Sequence, residues 1–244
     1  MYSPSRRSVS LDGDVQSVAM RRFRHLPLVL ALAIMIPTAA YAFTGAPAGD
    51  VRAKVTFIGD SNITRGASQL VGVMSPSQVG YVGTFASRDG AGLYWNGCHP
   101  GAACPDVNAT DYWAQRLLDL PPADVYVIDL GIVDAKTQGT ATTHGYAWWG
   151  TKIDWLMGKL GGKPVLWSNL ACTHVPEERK TGCATINQSL WNARARWSNL
   201  TFVQWRSVAE ANYPAWFAPD GFHFTPAGYL GYANLIKATL DTVT

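Results

Sequence analysis

Residues 54–62 read KVTFIGDSN, an apolar run that ends abruptly on a glycine, an aspartate and a serine. The β-branched and aromatic residues of the run are typical of a buried strand in a parallel sheet. Gly59 allows the chain to leave the strand sharply, so that Ser61 lies at the carboxyl end of the strand. Ligands bind at this edge of open α/β sheets. The segment therefore predicts a parallel α/β sheet with a serine at its functional edge.

A second segment of this kind lies near the C-terminus, where residues 219–226 read PDGFHFTP. A serine hydroxyl is a weak nucleophile unless an imidazole removes its proton and an acid orients that imidazole. Ser61, His223 and Asp220 would supply these three parts. The alternative is a polar turn that caps the last helix, with the threonine as N-cap and the final proline as first helical residue. Both interpretations can hold together.

Strand-like and helix-like patterns alternate along the chain. Strands are predicted near residues 53–58, 125–130, 164–168 and 201–205. Helices are predicted near residues 63–73, 110–119, 145–160, 185–197 and 226–241. This alternation indicates a parallel sheet covered by helices on both faces, that is, a single α/β domain with three layers, α/β/α.

The two chemical segments resemble the signature blocks of the SGNH or GDSL-type serine hydrolase family. Gly59-Asp60-Ser61 is similar to its first block, and residues 220–226 are similar to its last block, Asp-x-x-His followed by a polar residue and proline. The resemblance spans about residues 52–241. It implies a flavodoxin-like α/β/α domain and esterase or acyl-transfer chemistry that needs neither a metal nor an organic cofactor.

The middle of the chain fits this resemblance less closely. Residues 125–134 read VYVIDLGIVD, where the family has a strand followed by Gly-x-Asn-Asp. Val133 thus stands at the position of an asparagine that, in the family, donates a hydrogen bond to the oxyanion. We expect this donor to be missing or to be supplied by a neighbouring asparagine: Asn62, Asn96 or Asn169.

The family also supplies a backbone N–H to the oxyanion from a glycine in another middle block. The segment NGCHPG at residues 96–101 fits best, with Gly101 as the first candidate and Gly97 as the alternative. The same glycines would suit a loop closed by a disulfide, which leaves a purely structural interpretation open. The resemblance predicts an oxyanion hole formed by the N–H groups of Ser61 and of Gly101 or Gly97.

The N-terminal segment has the features of a secretory signal peptide. Three arginines in residues 21–24 precede an apolar stretch at 26–36 and the cleavage pattern Ala-Tyr-Ala at 40–42. An uncleaved anchor stays open, although the apolar stretch is short for a membrane-spanning helix. We expect secretion or residence in the cell envelope, with no stable membrane insertion after cleavage. The predicted parts are a signal peptide at 1–42, a short tether at 43–50 and the hydrolase-like domain at 51–244.

The charge balance argues against nucleic acid as a partner. The whole chain has 20 basic and 17 acidic residues, a formal net charge of +3. Residues 1–42 contain five arginines and two aspartates, so basic and acidic side chains are equal in number in the rest of the chain. That remainder, about 200 residues, suits one domain with a substantial core.

All cysteines follow the predicted cleavage site: Cys98, Cys104, Cys172 and Cys183. Export to an oxidising compartment and the even number indicate two disulfides. We expect local pairs, Cys98 with Cys104 and Cys172 with Cys183, which would close two loops. A zinc site that also uses His99 and His174 is the alternative, but the spacings differ from the usual C-x2-C pattern of such sites.

Tryptophan is unusually frequent, with 10 copies in the chain. Trp148 follows the Val133 loop and Trp95 precedes the glycine loop. Both are candidates for an aromatic platform that stacks on a sugar ring or holds an acyl chain. Packing in the core is the alternative, and it is what we expect for most of the other tryptophans.

Together these features predict an exported serine esterase or acyl hydrolase. In this hypothesis Ser61 attacks an ester carbonyl, His223 transfers the proton and Asp220 orients the imidazole. Candidate substrates are small-molecule or glycan esters, such as O-acyl groups of envelope glycans, and lipid esters. Two alternatives stay open: an acyltransferase, and a non-hydrolytic carbohydrate-binding or envelope-assembly protein with the same scaffold.

Overall fold

The computed structural model describes residues 50–75, 79–94, 117, 119–136 and 145–244. All of them fall within one unit, Ala39–Thr244. The described residues form a parallel sheet of five strands: β1 (Asp50–Gly59), β2 (Val79–Ser87), β3 (Val125–Asp129), β4 (Val165–Ser168) and β5 (Leu200–Val203). The strands lie in the order β2-β1-β3-β4-β5, which is the order of flavodoxin-like sheets.

The strand order reverses between β1 and β3. Strand β1 pairs in parallel with β2 on one side and with β3 on the other, and Gly59 lies opposite both Ser87 and Asp129. Connections that leave two such strands run to opposite faces of the sheet, which opens a crevice at the carboxyl edge. Ser61 follows β1 directly and therefore lies at this crevice.

Helices cover both faces of the sheet. In the described ranges they are α1 (Ser61–Met74), α2 (Ile132–Lys136), α3 (Tyr146–Lys159), α4 (Glu177–Arg194), α5 (Trp205–Ala211) and α6 (Pro226–Leu240). Helix α6 packs on α1 and α5 on one face, and α4 packs on α2 and α3 on the other. Among the described residues, no helix combines the length and the apolar character needed to cross a membrane.

Two hydrophobic cores separate these layers, because successive strand residues point to opposite faces. Phe57 in β1 belongs to the core under α1 and α6, whereas the next residue, Ile58, packs under α3 and α4 beside Trp149. Val127 and Ile128 in β3 divide in the same way. Burying each such side chain contributes about 1.5–3 kcal/mol relative to exposure. The predicted three-layer α/β/α architecture is therefore confirmed.

Some elements differ from the prediction. Strand β2 is not among the predicted strands, because two glycines interrupt the β-branched and aromatic residues of this strand. Helix α4 begins at Glu177 and not near residue 185, because two glutamates suit a first helical turn and outweigh the Thr-Gly-Cys segment that follows. The short helices α2 and α5 are also absent from the prediction. The predicted helix at 110–119 lies outside the described residues, apart from residues 117 and 119.

Candidate active site

Ser61 occupies the first position of α1, directly after the turn from β1. Asp60 caps the helix, since its Oδ1 accepts a hydrogen bond of 2.8 Å from the N–H of Asn62. Gly59 permits the sharp turn, because a Cβ at this position would collide with the side chain of Ile63. The turn holds the serine at the N-terminus of a helix, where free N–H groups and the helix dipole favour negative charge.

Ser61, His223 and Asp220 form one hydrogen-bonded triad. Ser61 Oγ lies 2.8 Å from His223 Nε2, and His223 Nδ1 lies 2.6 Å from Asp220 Oδ2. Both distances are within hydrogen-bonding range. The imidazole can therefore accept the serine proton at Nε2 while its Nδ1–H donates to the carboxylate. This is the arrangement of nucleophile, base and orienting acid that acyl transfer through a serine requires.

A tight turn fixes the orientation of the imidazole. Asp220 Oδ1 accepts hydrogen bonds from the N–H groups of Phe222, at 3.1 Å, and His223, at 3.0 Å. Gly221, between them, has a φ of 75°, in the left-handed region that glycine adopts without strain. A Cβ there would also collide with the carbonyl oxygen of His174. The carboxylate thus organises both the backbone of the turn and the ring that it carries.

The structure confirms that the same segment caps the last helix. Thr225 is the N-cap of α6, with its hydroxyl accepting a hydrogen bond of 3.2 Å from the N–H of Gly228, and Pro226 begins the helix. Because α6 packs on α1, the cap links the histidine turn to the helix that carries Ser61.

Asp220 is held in its ionised form. Partial burial raises the pKa of Asp220, but hydrogen bonds from the His223 side chain and from two backbone N–H groups outweigh it and keep this pKa below its usual value. The carboxylate therefore stays charged through the neutral range and can stabilise an imidazolium on His223. Its side chain is 39% exposed, so solvent screening limits the energy of this ion pair.

Two buried carboxyl groups lie near Ser61. Asp60 is fully buried, and Asp129, at the end of β3, is 4% exposed. Burial raises the pKa of Asp129 to about 6, and burial together with the negative charge of Asp129 raises the pKa of Asp60 well above its usual value. Within the described residues, Oδ2 of each group has no hydrogen-bond partner. The pair therefore resists carrying two negative charges at once.

Replacing Asp129 with asparagine should remove part of the pH dependence of stability. The folded protein holds the Asp129 proton more tightly than the unfolded chain does. The stability that this proton gives the folded state is therefore complete below the ordinary pKa of 3.8 and is lost as the pH rises through about 6. This shift corresponds to about 3 kcal/mol in the free energy of unfolding. We expect the urea midpoint to fall further between pH ~4 and ~7 in the wild type than in Asp129→Asn, given this linkage.

The exposed Asp119→Asn is the matched control for this experiment, and its urea midpoints should follow those of the wild type. An equal fall in the wild type and in Asp129→Asn would contradict the assignment of the proton to this carboxyl group.

A small cavity of about 20 Å³ lies beside Asn62 and Phe222, the sequence neighbours of Ser61 and His223. Its lining is mostly apolar and includes Ile132, Trp205 and Phe222, together with the polar side chains of Asn62 and Asp129. Asn62 follows the serine in sequence and Phe222 precedes the histidine. The volume suits one water-sized group.

Asn62 lies beside the triad. It is 3% exposed, and its Nδ2 donates to the carbonyl oxygen of Phe222 at 3.3 Å. The side chain of Asn169 forms its hydrogen bonds away from the triad. Its Oδ1 accepts from the N–H of Arg206 at 2.7 Å, and its Nδ2 donates to Gln204 at 3.2 Å. The amide of Asn169 thus supports the start of α5 and is not brought to the triad.

Val133 and Trp148 both pack against the core that contains Trp149. Val133 lies in α2, half-buried, at the carboxyl edge of β3. The ring of Trp148 lies 4.9 Å, between ring centres, from Tyr94 and from Trp149. For Trp148 these contacts correspond to core packing, the alternative to the aromatic platform.

Several predicted site residues lie outside the described residues, and their roles stay predictions. They are the oxyanion candidates Gly97 and Gly101, the substrate-binding candidates Trp95 and Asn96, and the expected disulfide partners Cys98 and Cys104.

Cys172 forms a disulfide with Cys183, as predicted. Cys183 lies within α4, however, so the disulfide ties the segment after β4 to a helix and does not merely close a loop. Both sulfurs are bonded, and neither is therefore a thiolate that could bind zinc.

Arg179 is a feature of this region that the sequence did not reveal. It lies in the first turn of α4 and is 5% exposed. Its Nη1 donates to the carbonyl oxygen of Ile132 at 2.9 Å, and its guanidinium carbon lies 4.1 Å from the ring centre of Phe222. A single arginine at the start of a helix carries no sequence signal of burial, because arginine is mostly exposed.

Comparison with known proteins identifies the fold. No protein-family model matches the chain, and neither does any curated protein. Among solved structures, the C-terminal catalytic domain of peptidoglycan O-acetyltransferase A (OatA) from Streptococcus pneumoniae matches at 16% identity and a TM-score of 0.55, over 78% of this chain and 93% of that domain.

Two further solved structures match over a similar range. A lipase/acylhydrolase from Enterococcus faecalis is 17% identical, with a TM-score of 0.55, and the match covers 78% of this chain and 95% of that one. A protein assigned as a GDSL-like lipase from Parabacteroides merdae is 16% identical, with a TM-score of 0.53, over 78% of this chain and 96% of that one. At these identities the likeness establishes a shared fold.

Proposed function

We propose that this chain, which has the SGNH/GDSL hydrolase fold, is a serine esterase that transfers the acyl group of an ester to water. The observation that carries the proposal is the hydrogen-bonded chain from Ser61 through His223 to Asp220 at the carboxyl edge of the sheet. Ser61 begins α1 and His223 lies just before α6, so two packed helices hold the reacting atoms.

In the first half of the reaction, Ser61 Oγ attacks the ester carbonyl while His223 Nε2 accepts the hydroxyl proton. The tetrahedral intermediate expels the alcohol, which takes this proton from His223, and the acyl group stays on Ser61 as an ester. In the second half, water gives a proton to His223 and attacks the acyl-enzyme. The acid then leaves as Ser61 recovers the proton. Asp220 holds the tautomer with Nδ1–H throughout.

Backbone N–H groups would stabilise the oxyanion of each tetrahedral intermediate. The N–H of Ser61 lies at the first position of α1, where the helix provides no carbonyl partner, so it is free to donate. The family resemblance supplies the second donor from Gly101 or Gly97. Val133 has no side-chain donor, and Asn62 is the described amide that lies beside the triad.

Esters of the cell envelope are the substrates that the remaining observations favour. The N-terminal sequence has the pattern of a signal peptide, and the disulfide suits an oxidising compartment. One structural neighbour is named a peptidoglycan O-acetyltransferase. We therefore propose O-acyl groups of envelope glycans ahead of lipid esters. Transfer of the acyl group to another alcohol, in place of water, is the second candidate function that this neighbour supports.

A fluorophosphonate probe tests the proposal, because it reacts with a serine whose hydroxyl is activated by a base. Intact-mass and peptide analysis should show one adduct on Ser61, absent from Ser61→Ala and from His223→Ala. Ser68→Ala is the matched control, since Ser68 lies exposed on the same helix. A folded wild-type protein that stays unlabelled would instead support the non-hydrolytic carbohydrate-binding alternative.

A further inference from the structure

The guanidinium of Arg179 is a buried cation for which the described residues provide no paired anion. In the part of the chain that the structure describes, it forms no ion pair with any carboxylate, although it is only 5% exposed. Burial lowers the pKa of Arg179, and the negative charges of Glu178, Asp220 and Asp60 offset this only from longer range. A buried charge that is not paired is costly, so such groups are rare away from functional sites.

Most of the donors of this guanidinium are unused. Arginine has five N–H donors, and within the described residues only Nη1 forms a hydrogen bond, with the carbonyl oxygen of Ile132. Nε is buried and has no partner. Nε and the second terminal nitrogen form the edge that binds a carboxylate through two parallel hydrogen bonds. The side chain therefore has the donors for an anion that the described residues do not provide.

The guanidinium lies close to the catalytic imidazole. It stacks on the ring of Phe222 at 4.1 Å, and the ring centre of Phe222 lies 4.3 Å from that of His223. Ile132, the hydrogen-bond partner of Arg179, lines the small cavity together with Phe222 and Asn62, the sequence neighbours of His223 and Ser61. The ring of Phe222 thus contacts both the cation and the imidazole, and the two residues that Arg179 contacts both line the cavity.

The position of Arg179 is also rigid. Cys183, one helical turn further along α4, is bonded to Cys172 and is fully buried. The disulfide and the buried face of α4 hold the first turns of the helix against the rest of the domain. A binding group on such a support loses little conformational entropy when a ligand binds.

We propose that Arg179 binds a carboxylate of the substrate, which makes esters that also carry a carboxylate the preferred substrate class of this site. This inference rests on the proposed esterase function. The substrate carboxylate would accept two hydrogen bonds from the free edge of the guanidinium while its ester carbonyl lies at Ser61. The bound anion would neutralise the cation in the same step, which makes the interaction stronger than one between exposed charges.

Matched pairs of esters test which side of the substrate carries the charge. On the acyl side, ethyl hydrogen succinate is compared with ethyl isocaproate, in which an isopropyl group replaces the carboxylate. On the alcohol side, p-acetoxybenzoate is compared with its methyl ester. The wild type should favour the charged member of one pair. For that pair, we compare kcat/KM for the charged ester with kcat/KM for the neutral one. Arg179→Met should lower this ratio by about 30-fold or more, mainly by raising KM for the charged ester.

Lys180→Met is the matched control, because it removes a positive charge from the same turn of α4. Lys180 is partly exposed and forms its ion pair with Glu177 at 2.7 Å, so its loss should leave the ratio unchanged. If Arg179→Met does not fold, Arg179→Lys takes its place, because lysine keeps a donor for the carbonyl oxygen of Ile132. Because the fork that binds a carboxylate is lost in lysine, the ratio should also fall in Arg179→Lys.

Direct binding separates this inference from the proposed function. Succinate should bind to Ser61→Ala, measured by calorimetry, and its Kd should rise about 10-fold or more when Arg179→Met is added. Succinamide, the neutral analogue, should bind equally to both variants. A protein that turns over no ester but still binds succinate through Arg179 would contradict the esterase proposal alone.

Two results would overturn the carboxylate site. One is a wild type with no preference for the charged member of either pair and no binding of succinate. The other is an equal loss of turnover on charged and neutral esters in Arg179→Met, which would show that Arg179 only supports Ile132 and Phe222.

Discussion

Ser61→Ala and His223→Ala should each lower kcat for p-nitrophenyl acetate by about 10⁴–10⁶. Ser61 Oγ and His223 Nε2 are 2.8 Å apart, and each depends on the other for the proton transfer. Asp220→Asn should retain more activity than either variant, because the serine and the imidazole stay in contact. The release of p-nitrophenol, followed in purified proteins under identical conditions, measures all three rates.

Two controls accompany this series. Ser68→Ala changes an exposed serine on the same helix and should turn over the ester at the wild-type rate. Thermal unfolding should show that Ser61→Ala and His223→Ala keep the wild-type fold, because neither side chain belongs to either hydrophobic core. A Ser61→Ala protein with the wild-type rate would mean that another group is the nucleophile.

Val133→Asn should raise kcat by about 10²–10³, with little change in KM, if the oxyanion lacks one donor. An isopropyl group cannot donate a hydrogen bond, and Val133 lies in α2 at the carboxyl edge of β3. A donor that acts only on the oxyanion stabilises the transition state and not the ground state, which is why the effect should fall on kcat. Steady-state kinetics on p-nitrophenyl acetate separate the two parameters.

The alternative is that Asn62 already supplies the missing donor. Its Nδ2 makes only a long hydrogen bond of 3.3 Å to the carbonyl of Phe222, which it can exchange for a stronger one to an oxyanion. In that case Asn62→Ala should lower kcat by a similar factor and Val133→Asn should not raise it. Asn169→Ala is the control, since the amide of Asn169 is engaged at α5. If Val133→Asn, Asn62→Ala and Asn96→Ala all leave the rate of an active enzyme unchanged, two backbone donors suffice.

The fold could be predicted where local constraints and global architecture agree. Gly59 is needed because the strand-to-helix turn leaves no room for a Cβ, and that need is visible in the sequence as a glycine after an apolar run. Thr225 and Pro226 likewise mark the start of α6 by their chemistry alone. The sequence thus places Ser61 and His223 on the same edge of the sheet, and the structure brings their side chains into contact.

Arg179 could not be predicted in the same way. Its burial depends on Ile132 and Phe222, which lie far from it in the sequence and approach it only in the folded chain. Asn169 shows the opposite case. It follows β4 at the expected edge, but its amide binds the backbone of Arg206 and so supports a helix. Position in the sequence predicts the edge at which a side chain lies, whereas its hydrogen-bond partners depend on the packing of distant segments.

The hydrogen bond between Ser61, at the start of α1, and His223, in the turn before α6, joins residues 162 positions apart. During synthesis the serine is made first, and at ordinary translation rates the histidine follows roughly 10–30 s later. Until then the growing chain contains a serine without a base. Under the proposed esterase mechanism, a chain that stops before residue 223 is therefore inert toward esters, and reactivity begins only when the turn that carries His223 docks on α1. Under that mechanism, esterase activity reports that the segment around His223 has folded against the helix that carries Ser61.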